Sequence, residues 1–123
     1  MGRLLLVDDA QDIRTIARLS LERVGGWTVV EAAGGEEALA ALAQRGPFDA
    51  VLLDVMMPRL DGPTTLRLLR EHGLGEDVPV VFLTAKAQPA ELRSLRARDV
   101  AGAIAKPFDP LALPGELERL LGA

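Results

Sequence analysis

Three aspartates, one threonine and one lysine are the residues of this chain best suited to chemistry, and each closes a short apolar run. Leu4-Leu5-Leu6-Val7 stops at Asp8-Asp9, Ala50-Val51-Leu52-Leu53 at Asp54, the run ending Phe82-Leu83 at Thr84, and Gly102-Ala103-Ile104-Ala105 at Lys106. Carboxylates offer the hard oxygen ligands that Mg²⁺ prefers, and Mg²⁺ typically takes only one or two of them, with waters and a phosphate completing its shell. A carboxylate can also attack phosphorus to give an acyl phosphate, provided its oxygen is aligned and the phosphoryl charge is neutralised. Asp54 is the central candidate for that role. A lysine places a point charge on a phosphoryl oxygen, and a threonine hydroxyl donates a hydrogen bond to another. Charge arithmetic favours a cation as well. Two carboxylates 4 Å apart repel by ~4 kcal/mol at an effective dielectric of 20, and three in one cleft raise one another's pKa values unless positive charge intervenes. Lys106 offsets one charge and a divalent ion the other two.

Taken singly, each residue has an ordinary reading. A strand-ending Asp is usually a cap or turn residue, a threonine there caps a helix, and a lysine is a solvated surface group. The coincidence of all of them at the ends of four separate runs is what carries weight. Uncharged runs of this length, each followed by a helical pattern, read as parallel strands buried on both faces. Ligands of an open α/β sheet bind at the carboxyl ends of its strands.

The periodicity predicts five strands, over about 3–8, 27–31, 49–53, 79–83 and 101–105, alternating with five helices. The first helix is expected over 11–24, with Ile13, Ile16, Ala17, Ser20 and Val24 on its inner face, and Gly25-Gly26 ends it. The second covers 36–45 and stops at Gly46-Pro47. The third starts at Pro63, which suits the first helical position, buries Leu66 and Leu69, and ends near Gly73. A fourth is read over 89–98. The last is expected to be regular from Pro114, after a loose turn with Asp109 as a candidate N-cap. Helical crossovers return each strand in the same direction, so the sheet is parallel with helices on both faces. The mixed polarity of the second strand suits an edge.

With 123 residues, 49% apolar, the chain is the size of one domain, read as residues 1–123 with no output domain. Net charge is −4, which argues against a general nucleic-acid grip, since that needs clustered basic surface. No cysteine is present, so disulfides, thiolate metal sites and thiol nucleophiles are excluded. No signal peptide pattern precedes the first strand, and no uncharged apolar run nears the ~18 residues of a membrane span. The expected location is cytoplasmic, with no membrane contact and no direct nucleic-acid partner.

At these residues the chain closely resembles the receiver domain of two-component response regulators. The matching pieces are Leu-Leu-Val-Asp-Asp (5–9), Leu-Leu-Asp-Val-Met-Met-Pro-Arg-Leu-Asp-Gly (52–62), Phe-Leu-Thr-Ala (82–85) and Lys-Pro-Phe (106–108). The resemblance implies a flavodoxin-like, doubly wound α/β fold with strand order 2-1-3-4-5. It implies Asp54 as phosphoacceptor, Asp9 as direct Mg²⁺ ligand, Asp8 acting through water, and the Met56 backbone carbonyl as a further ligand. Thr84 and Lys106 match the switch hydroxyl and the phosphoryl-binding lysine. The implied donor is a sensor histidine kinase or phosphotransfer protein, and the output is a change of protein contacts through the helix read at 89–98, the fifth strand and the last helix. A cis bond before Pro107 is usual in the family.

The chain departs from the family pattern at Ala103, where Tyr or Phe often swings between buried and exposed rotamers. Met56 and Lys86 fall near the path expected for attacking water. Lys86, Arg93, Arg96 and Arg98 against Glu91 read as a docking face or simply a solvated helix face. His72 reads as a helix-end residue, and Trp27 as edge-strand packing rather than a base-stacking platform. Two other functions compete. A Mg²⁺-dependent phosphohydrolase with an aspartate nucleophile often carries a second Asp two residues on as general acid, but Met56 stands there and cannot transfer protons. A receiver-like scaffold that is never phosphorylated would be expected to lose an acid or the lysine, and this chain keeps all of them.

Overall fold

A computed structural model describes residues 2–75, 77–85 and 100–122. The apolar runs form one parallel sheet of β1 (Arg3–Val7), β2 (Thr28–Ala32), β3 (Ala50–Asp54), β4 (Val80–Thr84) and β5 (Gly102–Ala105). Its order is β2-β1-β3-β4-β5, the flavodoxin-like order, with β2 at an edge. Among the described residues the helices are α1 (Gln11–Arg23), α2 (Gly35–Gln44), α3 (Gly62–Glu71) and α4 (Leu113–Leu120). The helix read over 89–98, with Lys86, Arg93, Arg96 and Arg98, lies outside them. No helix of the described residues is long and apolar enough to cross a membrane.

The sheet divides two aliphatic cores. Leu5, Val7, Val51, Leu53 and Phe82 pack with Ala38 and Ala41 of α2 and Leu66 and Leu69 of α3. On the other face Leu4, Leu6, Leu52, Val81, Leu83 and Ile104 pack with Ala17 and Leu21 of α1 and Leu113 and Leu117 of α4. β3 and β4 are buried along their whole length, which is why they carry no alternation of polar and apolar residues. The half-exposed residues of β2 match its edge position.

Three local expectations need correction. The buried stripe of α1 is Ala17, Ser20 and Leu21, whereas Ile16 is 43% and Val24 55% exposed. Ile16 sits on the flank of that stripe, and Val24 is the C-cap residue past the last turn. Asp109 does not cap α4, whose N-cap is Ala112. Its carboxylate instead accepts from Leu111 N–H at 2.9 Å and its carbonyl from Ala112 and Leu113 N–H, so it organises the turn before the helix. Pro63 is the second helical residue rather than the first, because Gly62 already opens α3. Both positions lack an intrahelical N–H partner, so proline costs little at either. The helix ends match the glycine and proline signals: Gly26 has φ +75° after α1, and Gly46–Pro47, a cis bond, follows α2; the Lys106–Pro107 bond after β5 is also cis. His72 is the C-cap of α3, and Trp27 is buried beside the α1–α4 core.

Candidate functional site

Strand register brings the polar run ends together. Val7 pairs with Leu53, Asp54 with Leu83 and Thr84 with Ala105. Asp8 therefore comes level with Asp54, and Lys106 lies one step beyond Thr84, all on the carboxyl rim. Side-chain direction alternates along a strand. Leu6, Leu52 and Ile104 face the α1–α4 core, so Asp8, Asp54 and Lys106 continue that side. Thr84 continues the side of Phe82, in the opposite core.

Every polar group of Asp8 is engaged. Its N–H donates to the Ala32 carbonyl at 3.2 Å. Its Oδ1 accepts from Ala10 N–H at 2.9 Å, its Oδ2 from Lys106 Nζ at 2.6 Å, and its carbonyl oxygen from Arg14 Nη1 at 2.7 Å. Lys106 Nζ also lies 3.0 Å from Asp54 Oδ1, and its backbone N–H donates to the Thr84 carbonyl at 2.8 Å. One ammonium thus bridges carboxylates from two neighbouring strands. Asp8 is 0%, Asp54 3% and Thr84 2% exposed, while Asp9 is exposed. Ligand atoms of Asp8, Asp9 and Asp54 all fall within 4.8 Å of one another, a spacing that one divalent cation can bridge.

Burial pushes the Asp54 carboxyl up to about 6 from an ordinary 3.8. The Asp8 charge adds to the rise, and the Lys106 ammonium and the Met56 backbone N–H oppose it. Burial also works against the Lys106 charge, but hydrogen bonds to Asp8 and Asp54 and the charges of both carboxylates outweigh it and hold the ammonium above its ordinary 10.5. The cluster sets three carboxylates against one ammonium, a deficit of positive charge.

The loop after β3 is held from behind. Asp61 caps α3, its carboxylate accepting from Thr64 N–H at 2.8 Å, and Thr65 Oγ1 donates to its carbonyl at 2.8 Å. Gly62 N–H donates to the Val55 carbonyl at 2.9 Å. A Cβ at position 62 would stand 2.5 Å from the Asp54 carbonyl oxygen and 2.9 Å from Val55 Cα. Only glycine lets the start of α3 approach the strand end that carries Asp54 this closely. Arg59 in the same loop has φ +67°, a left-handed conformation unusual for a residue with a Cβ. The Met56 side chain is 61% exposed, while its backbone faces the Asp54 carboxylate.

Residues 4–118 match the model of the response regulator receiver domain. The chain belongs to that family. It is 44% identical over 119 residues to the response regulator MprA of Mycobacterium tuberculosis (strain ATCC 25618 / H37Rv), an alignment covering 97% of this chain and 47% of the relative. The chain therefore spans about half the length of the curated relatives it matches. Among solved structures, the chemotaxis protein CheY4 of Vibrio cholerae superposes with a TM-score of 0.87 at 33% identity, covering 98% of each chain. The receiver domain of the sensor histidine kinase PA1611 from Pseudomonas aeruginosa PAO1, solved with a magnesium ion coordinated in its active site cleft, gives 0.84 at 30% identity, covering 99% of this chain and 98% of that one.

The receiver fold brings Asp8, Asp9, Asp54 and Lys106 together and sets Thr84 at the neighbouring strand end. Sequence reasoning missed Arg14 and its anchor Glu31, which meet at 3.2 Å. Their signal was faint: two arginines one helical turn apart, Arg14 and Arg18, opposite an acid on the edge strand. Ala103 is half-buried against the α2–α3 core, so this receiver carries a methyl group where an aromatic side chain often moves.

Proposed function

We propose that Asp54 accepts a phosphoryl group from a phosphohistidine of a sensor histidine kinase or phosphotransfer protein, in a Mg²⁺-dependent reaction, and that the phosphorylated domain changes its protein contacts. The observation that carries this reading is the convergence of three carboxylates, Asp8, Asp9 and Asp54, to within 4.8 Å of one another, with Lys106 pairing Asp8 at 2.6 Å and Asp54 at 3.0 Å. The donor set fits Mg²⁺: the side-chain ligands are hard oxygens, and the cluster lacks the positive charge to balance them. Asp9, Asp54 and the Met56 carbonyl would hold the ion, with Asp8 acting through water. The magnesium ion in the PA1611 receiver, a relative of the same fold, supports this assignment. Bound there, the ion supplies charge that neutralises the carboxylates and the incoming phosphoryl oxygens.

A carboxylate oxygen of Asp54 forms the new P–O bond as the P–N bond to the donor imidazole breaks, its electron pair returning to the ring nitrogen. Lys106 then shifts a hydrogen bond from Asp54 to a phosphoryl oxygen. The Thr84 hydroxyl donates to another, which draws the end of β4 toward the site and biases the domain between two states. Water later hydrolyses the acyl phosphate. The only reaction is the domain's own phosphorylation and dephosphorylation, carried out in the cytoplasm. Hydrolases with an aspartate nucleophile often place a proton donor two residues on, and the exposed Met56 thioether at that position is none.

The test is intact-mass measurement after incubation with Mg²⁺ and acetyl phosphate. One adduct of about 80 Da is expected, absent when EDTA is added. A chain that stays unmodified at saturating donor overturns the reading, and steady turnover of unrelated phosphate esters points to the hydrolase instead.

A further inference from the structure

Arg14 is not among the groups that would touch the ion or the phosphoryl group, yet it is bonded to their backbone. Its Nη1 donates to the Asp8 carbonyl at 2.7 Å, and its Nε donates to Glu31 Oε1 at 3.2 Å. Only 14% of its side chain is exposed. Glu31 is fixed in turn at its second oxygen by Arg18 Nη1 at 2.6 Å. The guanidinium is therefore planted on the edge strand β2 and presents one N–H to the turn between β1 and α1.

The carbonyl it holds belongs to the peptide that joins Asp8 to Asp9. A peptide unit is planar, so fixing its oxygen fixes the direction in which the chain enters Asp9. The Asp8 side chain has its own restraints in Ala10 and Lys106. Asp9 is exposed, and the plane of its preceding peptide sets the direction from which its side chain leaves toward Asp8 and Asp54. We infer that Arg14, anchored by Glu31, is a positioning residue for the cation site, holding the Asp8–Asp9 peptide in the orientation that keeps the Asp9 carboxylate with the other two. This rests on the proposed Mg²⁺ reading of that site.

The sign of the effect separates position from charge. A guanidinium near the site repels a cation, so if Arg14 acted through its charge alone, removing it would tighten Mg²⁺ binding. If it acts by position, removing it weakens binding, and partners behind metal ligands typically contribute about 10-fold or more in affinity. The experiment is calorimetric titration of Mg²⁺ into the full chain and its variants, with the Asp8 carbonyl ¹³C resonance followed by NMR. Arg14→Met is expected to bind Mg²⁺ about 10-fold more weakly and to shift that resonance. Arg14→Lys, which can still donate to the carbonyl, is expected to recover most of the affinity. Unchanged or tighter binding by Arg14→Met overturns the inference while leaving the Mg²⁺ reading intact. A wild type that takes up no Mg²⁺ overturns both. Should Arg14→Met not fold, Glu31→Gln carries the test: severalfold weaker binding with the same resonance displaced is expected, and no change in either overturns the inference.

Discussion

Asp54→Asn is expected to abolish the phosphoryl adduct and at the same time to stabilise the metal-free fold at neutral pH. Burial carries the Asp54 carboxyl from 3.8 to about 6. At about 1.36 kcal/mol per pKa unit, its ionisation opposes folding by about 3 kcal/mol. The folded pKa lies above the unfolded one, so between roughly pH 4 and 6 the folded state holds more protons, and stability falls as pH rises through that window. The asparagine variant has no such slope. It keeps a carbonyl for Lys106 but gives up one ion pair, so the net gain in EDTA at pH 8 is expected to be about 1–3 kcal/mol. Urea unfolding at pH 5 and pH 8 checks this. Wild type and variant with parallel pH dependence would show that Asp54 is not the strained member of the cluster. Saturating Mg²⁺ is expected to stabilise the wild type more than the variant, because the ion offsets the carboxylate charge whose burial opposes folding.

Lys106→Met is expected to have the second large effect, in the opposite direction. Among the described residues, Lys106 is the only basic side chain ion-paired with Asp8 or Asp54. Its ammonium is held above 10.5, so its stabilising contribution is fully present below about that pH and is lost only as pH climbs through the folded value. Removing it leaves the fully buried Asp8 without its counter-charge. Breaking a buried pair from one side destabilises by about 3–5 kcal/mol. Lys106 keeps some solvent contact, so about 2–3 kcal/mol is expected in EDTA at pH 8. Added Mg²⁺ should recover part of this, because it replaces the missing charge. Phosphorylation by acetyl phosphate should slow by about 100-fold, the usual consequence of deleting one group that stabilises developing charge. A variant that phosphorylates at the wild-type rate would remove Lys106 from the chemistry.

Much of this was legible in the sequence because buried parallel strands write themselves as uninterrupted apolar runs. β1, β3 and β4 stand out that way, and the residues at their ends fall on one rim as soon as the strands are parallel. Strand order came from resemblance, since no periodicity distinguishes which run pairs with which. The face of α1 was misjudged at Ile16 and Val24 because apolar spacing is blind to where a helix ends and how wide its contact is. Asp109 was misplaced because the same side chain can cap a helix or organise the turn before it. Arg14 escaped notice because its partner is a backbone carbonyl, and no residue type announces an acceptor that every residue possesses. Gly62 belonged to a recognisable motif, but its physical reason, the approach of α3 to the Asp54 carbonyl, exists only in three dimensions.

The burial of Trp27 against the α1–α4 core has an optical consequence. It is the single tryptophan, and it precedes β2, whose first residue pairs with Arg3 at the start of β1. Asp8 lies just past the far end of that strand, so at about 3.3 Å per residue the two backbone positions are about 20 Å apart along the sheet. Its emission should follow urea unfolding faithfully and remain flat through a Mg²⁺ titration. The fluorescence of this chain is thus a clean gauge of folding and blind to ligation, which lets the stability of each variant be read with the ion present or absent.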